Sequence, residues 1–221
     1  MPVRSPWIHA AARYLLCLAV LAWLPPADAG DDRFARDVAA MREVYLQATD
    51  GEKRAVRRAI QASRRLERKY RNHPLALAYK GGALALRGID AYKRPLDRMR
   101  ETEEGLVILD RALRILEKWQ GDDLEATEAR LVTAYVFLNL PDSVFHRLRQ
   151  GEHLVELLLR HPGFDGLPRG MRAAIYFAAA TAADKRKDAA RRRRYLELTV
   201  KTDPEGKNGK EARALLDAAK D

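Results

Sequence analysis

The chain has 221 residues, with 41 Lys and Arg against 31 Asp and Glu, and therefore a formal net charge of +10. This length is enough for one domain with a sizeable core. A single cysteine excludes a fold held by internal disulfides. The excess of positive charge predicts attraction to anionic surfaces, unless the arginines only solvate helix faces.

The N-terminal segment, residues 1–29, has the pattern of a secretory signal peptide. Two arginines precede an apolar run at residues 14–24, a pair of prolines ends that run, and small residues suit cleavage after Ala29. The run is shorter than the roughly 20 apolar residues that cross a bilayer. An uncleaved membrane anchor is the alternative. We predict a single mature domain, residues 30–221, which lacks Cys17.

The mature chain predicts an all-α protein. Ala, Leu, Arg, Glu and Lys dominate its sequence, and these are strong helix formers. No segment shows the alternation of apolar and polar residues that is typical of a β-strand. Pro, Gly, Asp and Asn divide the chain into helical stretches. The predicted helices cover residues 31–47, 52–71, 75–87, 102–119, 122–140, 141–160, 171–185, 189–202 and 211–220.

The main helix stops recur at a regular distance. Pro74, Gly121, Pro162 and Pro204 lie 41 to 47 residues apart, and each interval holds two helices and a turn. One such α-hairpin cannot bury its own apolar face, so this spacing predicts a stacked array of hairpins. An irregular helical bundle is the alternative.

Residues 74–88 resemble the first helix of a tetratricopeptide repeat. Gly81 and Gly88 stand seven residues apart, as the glycines of that motif do. Residues 105–116 resemble the second helix of the repeat, and residues 129–140 echo the first. The period exceeds 34 residues, so the chain resembles a degenerate member of this family. The resemblance implies a right-handed α-solenoid and extends to small exported bacterial proteins without known activity, which implies a periplasmic location.

Side chains suited to catalysis are scarce in the mature chain. It has no cysteine, and neither Ser63 nor Ser143 lies in a nucleophile motif. His146 and His153 share a face of the predicted sixth helix but stand about 10 Å apart along its axis. One metal ion needs helix ligands nearer i and i+4. We therefore predict no enzyme activity, no cofactor and no metal.

Two basic clusters lie on the predicted second and eighth helices. Their members are Arg64, Arg65 and Arg68 in the first, and Arg191, Arg192, Arg193 and Arg194 in the second. Each cluster is either a solvated helix face or a surface that binds an acidic partner. The predicted export argues against a nucleic-acid partner.

We expect a non-enzymatic module that binds another envelope protein or a peptide on a concave surface formed by the stacked first helices. The candidate contact residues flank the packing positions and are Tyr79, Arg87, Tyr92, Arg130, Tyr135 and Asn139. The alternative is a basic surface that binds anionic lipid or glycan. Electrostatic binding collapses within a few hundred millimolar salt, whereas binding in an apolar groove persists.

Overall fold

The computed structural model describes residues 29–49, 53–87, 95–121 and 123–219. Within these ranges the protein is all-α, with ten α-helices and no β-strand, which confirms the all-α part of the prediction. The predicted leader lies outside the described residues, apart from Ala29. The chain divides after Ala40 into two units, and the packing discussed below is that of the second, Met41–Asp221.

The helices follow the breakers in the sequence. Pro74 and Pro95 each occupy the first position of a helix, where the fixed φ of proline fits and its missing N–H is not needed. The helices are α1 (Ala29–Ala48), α2 (Lys53–Lys69), α3 (Pro74–Arg87), α4 (Pro95–Leu116), α5 (Asp123–Asn139), α6 (Asp142–Phe145), α7 (Leu148–Leu159), α8 (Arg169–Lys185), α9 (Ala189–Thr202) and α10 (Lys207–Asp217).

Helices close in sequence pack in pairs, and the pairs are in contact with one another. The pairs are α3 with α4, α5 with α7, and α8 with α9. The first members are also linked, because α5 contacts both α3 and α8. Helix α2 packs on α3, and α10 packs on α8 and α9. Helix α3 is the most enclosed, since all its residues except Lys80 and Arg87 are buried.

Two glycines allow α3 and α4 to cross closely. A Cβ on Gly81 would stand 2.7 Å from the carbonyl oxygen of Gly105, and a Cβ on Gly105 would stand 2.6 Å from the carbonyl oxygen of Gly81. Atoms of the backbone cannot move aside as a flexible side chain does. The glycine pair therefore sets the distance between these helices, which gives Gly81 a packing role.

The predicted sixth helix, 141–160, is wrong in one respect, because the chain breaks into α6 and α7. His146 has a left-handed backbone, with φ of 53°. The Arg147 guanidinium next to it binds Asp110 on α4 at 3.0 and 2.8 Å and lies over the Phe137 ring. These contacts join distant parts of the sequence, and the break orients Arg147 to make them. His146 and His153 consequently do not share one helix.

Two further helices begin earlier than predicted. Helix α4 begins at Pro95 instead of residue 102, and α10 begins at Lys207 instead of residue 211. In each case the sequence before the predicted start contains proline or glycine, which suggested a loop. Pro95 opens α4, and Gly206 directly precedes α10.

Candidate helix-binding site

A buried carboxylate joins three helices. Glu128 of α5 has a side chain that is only 7% exposed. Its Oε1 accepts hydrogen bonds from the Tyr79 hydroxyl of α3 at 2.5 Å and from Arg42 Nε of α1 at 2.6 Å. Its Oε2 accepts a bond from Arg42 Nη2 at 2.7 Å. The guanidinium and the carboxylate thus form a two-pronged ion pair, the strongest geometry for such a pair.

The electrostatics keep Arg42 and Tyr79 of this cluster in one protonation state each. Hydrogen bonding to Glu128 raises the pKa of Arg42, against the opposing effect of burial. Burial raises the pKa of the Tyr79 phenol, and the neighbouring Glu128 raises it further. Arg42 therefore stays charged and Tyr79 stays a hydrogen-bond donor at any physiological pH.

Tyr45 of α1 packs beside the same cluster. Its ring meets that of Tyr79 edge-on, with 5.2 Å between the ring centroids and 72° between the planes. Its hydroxyl lies against Gly82 of α3. Burial raises the pKa of Tyr45, and Tyr135 of α5 raises it further. Tyr45 is therefore enclosed by residues of α3 and α5.

We name the surface that these residues form the receiving face: Tyr79 and Gly82 of α3, and Glu128 and Tyr135 of α5. Glu128 and Tyr135 are seven residues apart and share one side of α5. The occupant of the receiving face is the end of α1, Met41–Ala48, where Met41 and Ala48 are buried as well as Tyr45.

The C-terminal helix also holds this segment. Lys207, the first residue of α10, donates from Nζ to the Leu46 carbonyl oxygen at 2.8 Å and to Thr49 Oγ1 at 2.9 Å. A cation at the end of α1 complements the negative end of the helix dipole. Elements from the middle and the end of the chain thus converge on the last two turns of α1.

The six predicted contact residues separate into different roles. Tyr79 and Tyr135 belong to the receiving face, although Tyr79 is only 1% exposed and so contacts α1 and Glu128 and not solvent. Arg87 pairs with Glu101 on α4 at 3.3 Å, and Arg130 reaches the Leu116 carbonyl oxygen. Each of these arginines thus bridges to α4. Asn139 is exposed and bonds the Tyr135 carbonyl oxygen, and Tyr92 lies outside the described residues.

Sequence reasoning missed Glu128, Arg42 and Tyr45. A signal for the first was present, because Glu128 is the one carboxylate among residues 126–138 of α5, most of which are small or apolar. A second signal, for Tyr45, is the apolar stripe of α1. Its residues 34, 38, 41, 45 and 48 recur at spacings of four and three. The pair itself joins positions 86 residues apart and has no local signature.

The basic clusters differ in their surroundings. Arg64, Arg65 and Arg68 are exposed on α2. In the second cluster, Arg192 pairs with Asp184 at 3.0 Å and Arg193 with Glu197 at 2.9 Å, while Arg191 and Arg194 are exposed. The cluster on α9 is therefore partly neutralised by neighbouring carboxylates.

A second concave region lies between α7, α8 and α9. It is an open cleft of about 260 Å³ with a floor of Val155, Ala179 and Ala183. At its rim Arg186 binds both carboxylate oxygens of Glu152. Among the described residues, no group of three or more His, Cys, Asp or Glu side chains is placed to hold a metal ion. None of the described helices has the length and apolarity to cross a membrane.

No family model, curated protein or solved structure matches this chain.

Proposed function

We propose that the chain is a non-enzymatic protein–protein interaction module of the bacterial cell envelope, built as a tetratricopeptide-like, right-handed array of α-hairpins. The pairs α3/α4, α5/α7 and α8/α9 support this architecture, because their first members are in contact along the series. The close crossing at Gly81 and Gly105 supports it too. The sequence of residues 1–29 supports export to the periplasm.

The main support for a binding function is that a helix, the end of α1, already lies on the receiving face. The face offers a buried carboxylate to a guanidinium and an aromatic wall to a phenol ring, both supplied by one turn of α1. Grooves of this kind recognise amphipathic helices through residues three and four positions apart. A surface with this chemistry is suited to a helix from another protein.

Site-specific photo-crosslinking in intact cells tests this function. A benzoylphenylalanine at Asn139, which is exposed one turn beyond Tyr135, should give a discrete adduct with one envelope protein, identified by mass spectrometry. The control position is Val107, which is 65% exposed on α4. Absence of a protein adduct at Asn139, or the same adducts at both positions, would contradict the proposal.

A basic stripe on α2 favours a second function, binding to an anionic surface. Helical geometry places its exposed arginines within an arc of about 120°. Among the described residues, only Arg58 of this stripe has a polar side-chain partner, Gln47 at 3.4 Å. The stripe consists of Arg54, Arg57, Arg58, Arg64, Arg65 and Arg68. Such a stripe attracts anionic lipid head groups.

Flotation with phosphatidylglycerol vesicles tests this second function. The protein should float with the vesicles at 50 mM salt and be released at about 500 mM, because the Debye length falls below the contact distance. The triple variant R64E/R65E/R68E should stay in solution. The matched variant R191E/R193E/R194E, with the same change of charge on α9, should still float. Equal losses for both variants would show that net charge alone is responsible.

A further inference from the structure

We propose that Met41–Ala48 of α1 is a built-in competitor on the receiving face, and that the external ligand is an amphipathic helix with an arginine and, three residues later, a phenylalanine or tyrosine. This inference rests on the proposed binding function and names both its ligand and its regulation. The ligand would take the positions of Arg42 and Tyr45, so the end of α1 must leave before the ligand binds.

The buried carboxylate requires a guanidinium in the ligand. With α1 displaced, Glu128 would keep the Tyr79 hydroxyl but lose both bonds from Arg42. A ligand that covered Glu128 again without supplying a guanidinium would leave a buried charge without its partner, which is strongly unfavourable. A lysine would replace the charge but not the two parallel bonds, because its ammonium group is a point donor. The receiving face should therefore prefer arginine to lysine, and reject an acidic residue.

The shape of the receiving face determines which aromatic residue the ligand must supply. Gly82 leaves the surface of α3 open, and the edge of Tyr79 forms its wall, so a six-membered ring fits between them. The Tyr45 hydroxyl forms no hydrogen bond with any described residue. The site therefore recognises the aromatic ring and not the hydroxyl, and a ligand with phenylalanine at this position should bind as tightly as one with tyrosine. Arginine and the ring must be three residues apart, as Arg42 and Tyr45 are, to lie on one helix face.

The chain itself limits access to the site. The end of α1 is joined to α2 by only four residues, 49–52, and a short linker gives a tethered segment an effective concentration in the millimolar range. Lys207 adds two hydrogen bonds that hold the segment in place. A free helix with the same contacts must compete with this tethered one. The intact protein should therefore bind such a helix weakly until α1 is released.

Fluorescence anisotropy with a labelled peptide of residues 29–49 tests the proposal on the purified full chain. The probe should bind the R42A/Y45A variant at least ten-fold more tightly than the wild type, because that variant keeps the receiving face but weakens its occupant. The matched variant R36A, which removes an exposed arginine from the same helix, should behave as the wild type. A probe with Arg42→Glu should lose binding, and one with Tyr45→Phe should keep it. Equal affinities for the wild type and R42A/Y45A would overturn the proposal.

Hydrogen exchange on the wild type gives a second measurement, independent of any variant that folds poorly. Saturating unlabelled peptide should speed the exchange of the amides of residues 41–48 in the chain while the amides of α3 stay protected. Binding of the peptide without this change would show that it occupies another surface, and the inference would fail.

The crosslinking experiment separates this inference from the function beneath it. A protein adduct at Asn139 that increases several-fold in the R42A/Y45A variant supports both. An adduct of the same yield in both chains leaves the binding function intact and overturns the competitor role of α1. Absence of an adduct in both chains overturns the function itself.

Discussion

The Tyr45 hydroxyl stands where a side chain at position 82 would begin. A Cβ built on Gly82 would lie 2.5 Å from the hydroxyl oxygen and 3.1 to 3.2 Å from the nearest ring carbons. The Tyr45 ring is buried and also contacts the Tyr79 ring, and both features limit its movement. The absence of a side chain at Gly82 is thus a condition for the fit between α1 and α3.

Gly82→Ala should therefore destabilise the protein, and the loss should depend on the Tyr45 hydroxyl. Alanine gains about 1 kcal/mol of helix propensity, but overpacking costs about 1–3 kcal/mol, so we expect a net loss of about 1 kcal/mol. Tyr45→Phe alone should be neutral or slightly stabilising, since it removes a buried hydroxyl without a described partner. In the Tyr45→Phe background, Gly82→Ala should cost nothing or stabilise. Urea unfolding of the wild type, the two single variants and the double variant gives the four free energies of unfolding that this double-mutant cycle needs.

Gly105→Ala is the matched control for that cycle. Its Cβ would meet the Gly81 carbonyl oxygen and the Ala85 amide, both part of the backbone. We expect a loss of about 3 kcal/mol, at the upper end of overpacking costs, with or without the Tyr45 hydroxyl. A loss from Gly82→Ala that is likewise independent of Tyr45 would contradict the close contact described above.

The two partners of the buried ion pair should respond unequally to truncation. Arg42→Ala leaves Glu128 buried with Tyr79 as its remaining partner, and we expect a loss of about 3–5 kcal/mol. Glu128→Gln still accepts the Tyr79 bond, and the Arg42 side chain, which is 45% exposed, can turn to water. We expect this variant to lose at least about 1 kcal/mol less. Chemical denaturation of both variants at neutral pH measures the two losses of stability. Equal losses would contradict the prediction that an unpaired, buried Glu128 carboxylate is the main cost.

The stability of the protein should fall in mild acid because of His73. Its Nε2 lies 3.1 Å from Glu125, yet burial lowers the pKa of its imidazole to about 4. Between pH 6.5 and 4 the unfolded chain therefore binds a proton that the folded chain does not. The free energy of unfolding should drop as the pH falls through this window, by on the order of 1 kcal/mol per pH unit.

Substitution isolates this contribution from that of the other titrating groups. His73→Gln should flatten the dependence of stability on pH between 6.5 and 4, whereas His153→Gln, at an exposed position of α7, should leave the slope as it is. The slopes come from urea unfolding at several pH values. If His73→Gln keeps the slope of the wild type, acid sensitivity has another source.

A glycine at position 187, at the end of α8, should raise the stability of the protein. Lys187 has a left-handed backbone, with φ of 58°, and donates its N–H to the Asp184 carbonyl oxygen, while the Asp188 N–H reaches the Ala183 carbonyl oxygen. These two bonds form a Schellman motif, in which Lys187 holds the position that favours glycine. Lys187→Gly should raise stability by about 0.5–1 kcal/mol. Lys185→Gly, at the last residue of the same helix, should lower it by up to about the same amount, as thermal unfolding of the two variants would show.

The helices were predictable where their ends depend on nearby residues. Helices α3 and α9 match their predicted ranges within one residue, because proline and charged turns mark their ends. The break between α6 and α7 was not predictable, since it depends on the bond from Arg147 to Asp110, 37 residues away. Helix α4 was predicted too short because Pro95 suggested a loop, whereas proline also fits the first turn of a helix.

Two residues of the receiving face, Tyr79 and Tyr135, were among the predicted contact residues, and their binding of a partner stays a prediction. Tyr79 and Tyr135 stood out as aromatic residues at positions that flank the helix packing, and the structure places both beside Tyr45. Nothing in a local pattern shows that α1 supplies the occupant, because a sequence does not state which of its amphipathic helices binds which groove. The Arg42–Glu128 pair needs the fold to bring its members together.

The bonds from Lys207 to the end of α1 bear on how this protein unfolds. In an open row of helical repeats each repeat contacts only its neighbours, so such rows fray from their ends and their stability is a sum of local terms. Here Lys207, the first residue of α10, donates to Leu46 and Thr49 at the end of α1, across separations of 161 and 158 residues. Helix α10 and the end of α1, Met41–Ala48, cannot separate without breaking these two bonds. Thermal melting of the unit Met41–Asp221 should therefore be a single cooperative transition, in which the end of α1 and helix α10 are lost together.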